Sequence, residues 1–302
     1  MIMARRTPRK IVARAFAKIN LSLRVRSRRP DGFHELCTIF QAIDLADTLT
    51  CTERTGPFRI VCRTPGVPRG RTNLVWRAAE ALWREAAHDT PPRDTLVEIV
   101  KRIPLQSGLG GSSSNAAAAL LALRRLWKLA VDDDRLNAIA RDLGADVPFF
   151  LVGGSALGLG RGDEIYPLAD PPRSWVVLAH PSVGVPTVDA YGWLDADQAA
   201  GLVSGEHPQR LDGVWGGHRT PLINDLEAPV IRRHPEVGAL RDALRSQGAV
   251  MAAMSGSGST VFGVFGDRRT ALVAHGRLRR AGWGTTLARM LDRRGSARLI
   301  GS

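Results

Sequence analysis

The chain has 302 residues, 44% of them hydrophobic and 24% charged, so it can bury the core of an ordinary globular protein of one or two domains. Its net charge of +13 leaves nucleic acid, acidic membranes and nucleotide substrates open as partners, but the sequence shows no run of basic residues interleaved with aromatic residues. Three cysteines without a CxxC pair argue against zinc sites and disulfides, and the lack of an 18-residue apolar run or an apolar N-terminal segment predicts a cytoplasmic protein.

The first predicted element is a strand over residues 11–25, in which every odd position is apolar. The even positions of its middle are mostly polar, so we expect a half-buried strand. Lys18 and Asn20 then lie two residues apart on the polar face, where one ligand could touch both. For Lys18, a solvated surface charge is the ordinary alternative.

A turn at residues 29–32 leads into a second apolar stretch, which begins with Phe33 and His34. A histidine beside an aromatic residue is also typical of a protein core. Further along, residues 74–87 have helical spacing and residues 96–104 have the pattern of a strand.

The segment PLQSGLGGSSSNAAAA at residues 104–119 is a Gly and Ser loop that opens directly into a helix rich in Ala and Leu. Its glycines permit positive φ and close backbone approach, and its serines offer helix caps and hydroxyl ligands. The helix start adds unpaired N–H groups and a positive dipole end, which predicts a phosphate site. The loop is neither a Walker A nor a GxGxxG sequence. A flexible linker is the alternative, but no polar tract separates the loop from the helix.

A second helix is predicted from about residues 132–134 to Gly144. Its apolar face comprises Leu136, Ile139, Ala140 and Leu143. Asp146 follows just before Pro148, where a plain helix N-cap would explain it.

A Gly-rich strand at residues 153–160 closes a first unit, and PLADPPR is the predicted linker. The predicted domains are therefore 1–168 and 169–302. Beyond the linker, strands and helices form an α+β layer without a fixed-period repeat. The predicted elements there are strands at WVVLAHP, AVMAAM, TVFGVF and TTLARML and helices near residues 236–247 and 270–281.

Three segments in order with the Gly and Ser loop resemble the GHMP kinases, which phosphorylate small-molecule hydroxyls with ATP. They are AFAKINLSLRV (15–25), LGADVPFFLVGG (143–154) and MSGSGSTVFGVF (254–265). The resemblance covers most of the chain and implies a two-domain α+β fold, with the site in the cleft between the domains. The N-terminal domain would be like the second domain of ribosomal protein S5, and the C-terminal domain would be ferredoxin-like.

The sequence departs from the common pattern of that family at three positions in the motifs. Gln106 stands where Gly is usual, Ser112 replaces the third Gly of GLGGG, and Phe16 replaces a Pro before the Lys motif. The glycines at 108, 110 and 111 are intact, so the resemblance still implies that ATP binds at this loop.

The resemblance implies that Lys18 and Asp146 are catalytic. Asp146 would accept or orient the proton of the substrate hydroxyl, while Lys18 keeps Asp146 ionised and stabilises developing negative charge. Mg²⁺ would be carried on ATP, with Ser114 as a candidate ligand from the protein; N-capping is the alternative for Ser113 and Ser114. The implied ATP-binding residues are Pro104, Gly108, Leu109, Gly110, Gly111, Ser112, Ser113, Ser114 and Asn115.

RPDGFHEL, VGVPTVDAY and NDLE narrow the resemblance to a family member whose substrate carries a cytidine diphosphate. Phe33, where the family often has Tyr, and Tyr191 would stack on the two faces of cytosine, and His34 would read its polar edge. Asn20 and Thr187 match further substrate contacts, although a Thr after a Pro is also an ordinary helix cap.

Two other motifs also have simple structural interpretations. Asp225 of NDLE is interpreted as a helix cap rather than a catalytic group. The loop Ser255, Gly256, Ser257 and Gly258 is implied to pack against the phosphate loop and close the site, whereas on its own it could be a hairpin turn.

The rival interpretations differ in what they require. Another GHMP kinase, acting on homoserine or mevalonate, would have a substrate without a base on which aromatic residues could stack. An RNA-binding module would need interleaved aromatic and basic residues, and a binding protein without catalysis would not need both Lys18 and Asp146. The implied partners are therefore ATP with Mg²⁺ and a small-molecule cytidine diphosphate, with neither nucleic acid nor membrane. A monomer and a homodimer both stay open.

Overall fold

The computed structural model describes residues 8–203 and 223–297. Residues 1–7 of the basic start and residues 298–302 of the basic tail lie outside the described residues. Within the described ranges, no helix is long and apolar enough to cross a membrane.

The first half of the chain forms a six-stranded sheet packed against four helices. The strands are β1 (Lys10–Arg28), β2 (His34–Pro57), β3 (Arg59–Cys62), β4 (Arg93–Val100), β5 (Ser155–Leu159) and β6 (Glu164–Pro167), and the helices are α1 (Leu74–Glu85), α2 (Gly111–Trp127), α3 (Asp133–Leu143) and α4 (Val147–Val152). The order is β3-β4-β2-β5-β6, with β1 paired to β2, and every pair except β3 with β4 is antiparallel. Sequence patterns predicted most of these elements but missed β3, β6 and α4.

The second half forms a four-stranded antiparallel sheet in the order β10-β7-β9-β8, covered by helices. Its elements are β7 (Trp175–His180), α5 (Thr187–Ala199), α6 (Glu227–Arg233), α7 (Pro235–Ser246), β8 (Met251–Met254), β9 (Val261–Phe265), α8 (Arg268–Arg280), β10 (Gly284–Arg289) and α9 (Arg293–Ser296). The first sheet ends at Pro167 and the second begins at Trp175, so we retain 1–168 and 169–302 as proposed domain bounds.

Strand β1 is half-buried at both ends, as its alternation predicted, but residues 15–21 in its middle are buried on both faces. Ala13 and Ala15 pack into the core between the first sheet and its helices, but Ala17 and Ile19 pack against the second sheet. The register with β2 shifts between Phe16 and Ala17. Phe16 pairs with Ala46 and Ala17 with Ile43, so Asp44 and Leu45 of β2 have no partner in β1. The apolar residues on the two sides of this irregularity share the same odd numbering but pack into different cores.

The three cysteines are free and buried, as the absence of a paired spacing predicted. Burial raises the pKa of the Cys51 thiol to about 12, so it is protonated at neutral pH and unreactive as a nucleophile.

Backbone hydrogen bonds join the halves at three places within the described residues. At one of them Thr260 donates to the Ser107 carbonyl at 3.3 Å. Leu23 donates to the Ile223 carbonyl at 2.8 Å and accepts from Asp225 at 2.9 Å, and Leu291 donates to the Ala42 carbonyl at 2.9 Å. These connections lie at separate places along the joint between the two sheets, and the cleft described next lies at the same joint.

Candidate active site

The Gly and Ser loop turns into α2 through backbone conformations that glycine favours. Gly108 and Gly110 have φ of 73° and 70°, and Gly110 is the N-cap residue of α2 without a capping side chain. Gly111 is the first helical residue and has no positive φ, but a Cβ atom there would lie 3.0 Å from Ile103 Cγ2. Gln106, where the family usually has Gly, itself has a φ of 49°. This position therefore has a left-handed backbone, which glycine adopts at lower cost than glutamine.

The serines of the loop do not cap α2, because the cap position belongs to Gly110. Ser114 is fully buried, and its Oγ donates to the Phe16 carbonyl at 2.6 Å, which ties the helix start to β1. Asn115 is also buried, and its Oδ1 has no hydrogen-bond partner within the described parts of the chain.

Lys18 is buried, with 3% of its surface exposed, so the solvated-charge alternative is wrong. Its Nζ donates to Asn20 Oδ1 at 2.5 Å and lies 3.5 Å from Asp146 Oδ2. Its backbone N–H donates to the Leu109 carbonyl at 3.1 Å, which brings the lysine beside the phosphate loop. The strand and the loop thus position one ammonium group between a carboxylate and an amide.

Asp146 occupies the N-cap position of α4, but its side chain makes no capping hydrogen bond. About a third of that side chain is exposed, and it lines the cleft. The capping interpretation accounts for the position of this residue but not for its carboxylate, whose partner is Lys18.

The loop between β8 and β9 packs against the phosphate loop and is also the connection of a hairpin. Ser255 Oγ donates to the Gly108 carbonyl at 3.0 Å and accepts from the Asn20 N–H at 3.3 Å. A Cβ atom on Gly108 would lie 1.9 Å from the Ser255 carbonyl oxygen, so the two loops fit together only if residue 108 is glycine.

Asn224 holds the other side of this loop, since its Nδ2 donates to the carbonyls of Met254 and Gly256 at 2.8 Å each. Sequence reasoning passed over Asn224 and interpreted its neighbour Asp225 as a helix cap. In the structure Leu226 occupies the cap position of α6, and the Asp225 carboxylate accepts from the Val25 N–H at 2.8 Å. The only sequence signal for either residue is the NDLE motif itself.

A cleft of about 440 Å³ lies between the two halves and brings most of the predicted site residues together. The predicted residues that line it are Lys18, Asn20, Pro104, Gly108, Gly110, Gly111, Ser112, Ser113, Asp146, Thr187, Tyr191, Gly256 and Ser257. Phe33, His34, Leu109, Ser114, Asn115, Ser255 and Gly258 are not among its lining residues. Thr38, Lys101 and Arg161 line it although sequence reasoning did not single them out.

Of the three predicted base-binding residues, Tyr191 lines the cleft, whereas Phe33 and His34 lie outside its lining. The His34 ring, rather than that of Phe33, stacks on Tyr191, with ring centroids 5.2 Å apart and an interplanar angle of 26°. Phe33 is 56% exposed and lies under the Arg161 guanidinium, 5.4 Å from its ring centroid. His34 Nε2 lies 2.8 Å from Asp195 Oδ1.

Thr187 and Tyr191 both lie on α5 and line the cleft. Thr187 is the first helical residue rather than the cap, and its hydroxyl lies 3.1 Å from Ser257 Oγ. Burial and the negative charge of Asp146 raise the pKa of the Tyr191 phenol, so that group is neutral near physiological pH.

The donor set of the cleft suits a nucleotide better than a protein-held metal. Within residues 8–203 and 223–297, no three His, Cys, Asp or Glu side chains are grouped to hold a metal ion. Backbone N–H groups at the start of α2, the hydroxyls of Ser112 and Ser113, and the carboxylate of Asp146 face the same space. That set fits the anionic phosphate chain of a nucleotide.

Comparisons with known proteins agree over nearly the whole chain. Residues 73–154 match the family described as GHMP kinases N terminal domain, and residues 217–282 match GHMP kinases C terminal. The chain is 40% identical over 276 residues to 4-diphosphocytidyl-2-C-methyl-D-erythritol kinase of Geobacter sulfurreducens, covering 91% of this chain and 97% of the relative. It is 44% identical over 269 residues to the same kinase of Anaeromyxobacter dehalogenans, covering 87% and 83%.

Solved structures give the same picture. A crystal structure of 4-(cytidine 5'-diphospho)-2C-methyl-D-erythritol kinase superposes with a TM-score of 0.76 at 37% identity, over 92% of this chain and 98% of that one. A homoserine kinase from Cytophaga hutchinsonii superposes with a TM-score of 0.62 at 18% identity, which shows a shared fold alone. The two-domain α+β fold predicted from the motifs is confirmed.

Proposed function

This chain belongs to the GHMP kinase family, and from that membership we propose that it transfers the γ-phosphoryl group of ATP to the C2 hydroxyl of 4-diphosphocytidyl-2-C-methyl-D-erythritol. The product is the 2-phosphate, and the reaction belongs to the non-mevalonate synthesis of isoprenoid precursors. One observation carries the assignment of the chemistry: Lys18 and Asp146 form a pair at 3.5 Å beside the phosphate loop, in a chain 40% identical to that kinase.

The phosphate loop and α2 bind the phosphates of ATP. The first turn of α2 presents N–H groups without helical partners, and the positive end of the helix dipole favours the anionic chain. Ser112 and Ser113 add hydroxyl donors at the same place. Bound Mg²⁺ neutralises phosphate charge, and among the residues of the cleft Asp146 and the two serine hydroxyls would face it.

Asp146 accepts or orients the proton of the substrate hydroxyl, and Lys18 holds that carboxylate in position as its ion-pair partner at 3.5 Å. The Lys18 ammonium also lies where negative charge develops on the transferred group, so it stabilises the transition state by electrostatics. Asn20 fixes the ammonium, and Asn20 is itself fixed by the Thr38 hydroxyl at 2.7 Å. The chemistry is positioning and charge stabilisation, without a covalent enzyme intermediate.

The cytidine end of the substrate lies against α5, where Tyr191 supplies an aromatic face and Thr187 a hydroxyl. Asp195 selects the tautomer of His34 that has its hydrogen on Nε2, because a carboxylate only accepts hydrogen bonds, and in that tautomer Nδ1 is an acceptor. An acceptor suits the exocyclic amino group of cytosine and repels the carbonyl oxygen at the same position of uracil.

Turnover tests the proposal directly. Initial rates of ADP formation should be measured with the cytidine substrate, homoserine and mevalonate at matched concentrations. We expect turnover with the cytidine substrate alone. Equal or faster turnover with homoserine or mevalonate would make the chain a different GHMP kinase, and no turnover with any of the three would remove the assignment.

Replacing Tyr191 with Ala is expected to raise KM for the cytidine substrate about 5-fold to 100-fold, because stacking is worth about 1–3 kcal/mol per base. KM for ATP should change little, since Tyr191 belongs to α5 and not to the phosphate loop or the start of α2. Steady-state kinetics with each substrate varied in turn measure both values. Phe33→Tyr is the control and should be nearly silent; a Tyr191→Ala enzyme with unchanged KM would remove that ring from base recognition.

Replacing His34 with Ala is expected to reduce the preference for cytidine over uridine substrate about 5-fold to 100-fold, since an unpaired polar group costs about 1–3 kcal/mol. Asp195→Asn should act in the same direction, because an amide can donate to Nε2 and release the tautomer. The measurement is kcat/KM for the cytidine and uridine versions of the substrate. An unchanged ratio in both variants would contradict base reading by His34.

A further inference from the structure

A buried ion pair lies beside the phosphate loop that the proposed chemistry does not use. Lys101, just after β4, pairs with Asp47 on β2, and the two side chains are 5% and 0% exposed. The neighbouring residues Thr48 and Val100 are partners in the sheet, which brings the pair to the same end of both strands.

Both oxygens of the Asp47 carboxylate accept hydrogen bonds. One oxygen accepts from Lys101, and the other accepts from the N–H groups of Arg102 and Ile103 at 2.6 and 2.9 Å. The carboxylate therefore fixes both the lysine and the backbone that leads into the phosphate loop.

The Lys101 ammonium can donate further hydrogen bonds. Within residues 8–203 and 223–297, its hydrogen-bond partner is Asp47, and an ammonium group has three donors. A Cβ atom on Gly111 would lie 3.1 Å from Nζ, so the ammonium lies against the first residue of α2. Lys101 also lines the cleft together with the glycines of the phosphate loop.

A contribution to the stability of the fold does not explain why this ion pair is buried here. Removing two charges from water costs about as much as their attraction returns, and apolar residues of the same volume often serve as well. An ammonium with free donors, at the end of a helix dipole that already favours anions, instead suits a phosphate. We propose that Lys101 binds a phosphate of the nucleotide and that Asp47 positions it. This inference rests on the proposed use of ATP.

The experiment distinguishes a role of Lys101 in phosphate binding from a purely structural role in the ion pair with Asp47. Lys101→Met alone would leave the Asp47 charge buried without a partner and could unfold the protein. The comparison is therefore between Asp47→Asn and the double variant Asp47→Asn with Lys101→Met. In both, the amide oxygen can still accept from Arg102 and Ile103. Affinity for ADP, adenosine and CDP is measured by calorimetry or competition, after thermal unfolding has shown that each variant folds.

We expect the double variant to bind ADP at least tenfold more weakly than Asp47→Asn, with adenosine and CDP changed less than threefold. KM for ATP should rise by a similar factor while kcat with the cytidine substrate changes little. Asp47→Asn with Lys101→Arg should recover part of the ADP affinity, because the charge returns.

Equal ADP affinity in Asp47→Asn and the double variant would overturn the proposal, as would an equal loss for adenosine and ADP. Failure of the proposed function is distinguishable, because it would appear in the parent protein as absent turnover or absent CDP binding. The ADP comparison between the two variants stands on its own result in either case.

Discussion

Asp146→Asn should lose between about 10²-fold and 10⁴-fold in kcat, because the amide can neither accept the hydroxyl proton nor compensate the Lys18 charge. Affinity for the cytidine substrate should largely persist, since base and hydroxyl contacts lie elsewhere in the cleft. The Asp146 side chain makes no capping bond, so α4 should form in the variant. Single-turnover and steady-state rates, with the thermal midpoint as a check on folding, measure the effect.

A matched control is Asp142→Asn, an exposed carboxylate on α3 four residues earlier, which should be silent. Lys18→Met should lose a similar factor, and the double variant should lose far less than the product of the two losses, because the residues act as one unit. If Asp146→Asn keeps rates within a few-fold of the parent, Asp146 has no catalytic role.

Gly108→Ala should lower kcat/KM for ATP by about 10² or more. The new methyl carbon would lie 1.9 Å from the Ser255 carbonyl oxygen at a residue with φ of 73°, so the phosphate loop and the closing loop must separate. Displacements of about 1 Å at a positioned reacting group cost about that factor. CDP affinity, measured by calorimetry, should fall less than threefold because α5 is not displaced.

Gly70→Ala is the corresponding control. Nothing lies within 4 Å of a Cβ atom there, and the residue does not have positive φ, so activity and thermal midpoint should match the parent. Activity of Gly108→Ala within fivefold of the parent would show that the contact between the loops does not determine phosphate positioning.

Much of the fold could be predicted because apolar periodicity and glycine positions carry it. The face of α3 with Leu136, Ile139, Ala140 and Leu143 is buried as the spacing predicted. The register shift between β1 and β2 could not be predicted, since the odd positions of β1 are apolar on both sides of Phe16. Short elements such as β3 and α4 have too few residues to show a period.

The candidate site was harder to predict, since its groups come from distant parts of the chain. The family resemblance predicted that Lys18 and Asp146 act together. Sequence spacing alone favoured a surface charge for Lys18 and a helix cap for Asp146. Asp47 and Lys101 are 54 residues apart and belong to no motif, so only the pairing of β2 with β4 reveals them. The stacking of His34 on Tyr191 likewise depends on how α5 packs against β2.

The backbone connections between the halves limit how this cleft can change shape. Leu23 exchanges hydrogen bonds with residues 223 and 225, and Leu291 donates to Ala42 at a separate point of the joint. Opening the two halves like a clamshell would break ladder bonds at both places, each buried group then losing its partner. We therefore expect side chains and loops at the rim of the cleft to move when the two large anionic ligands enter. The two sheets should keep their relative position.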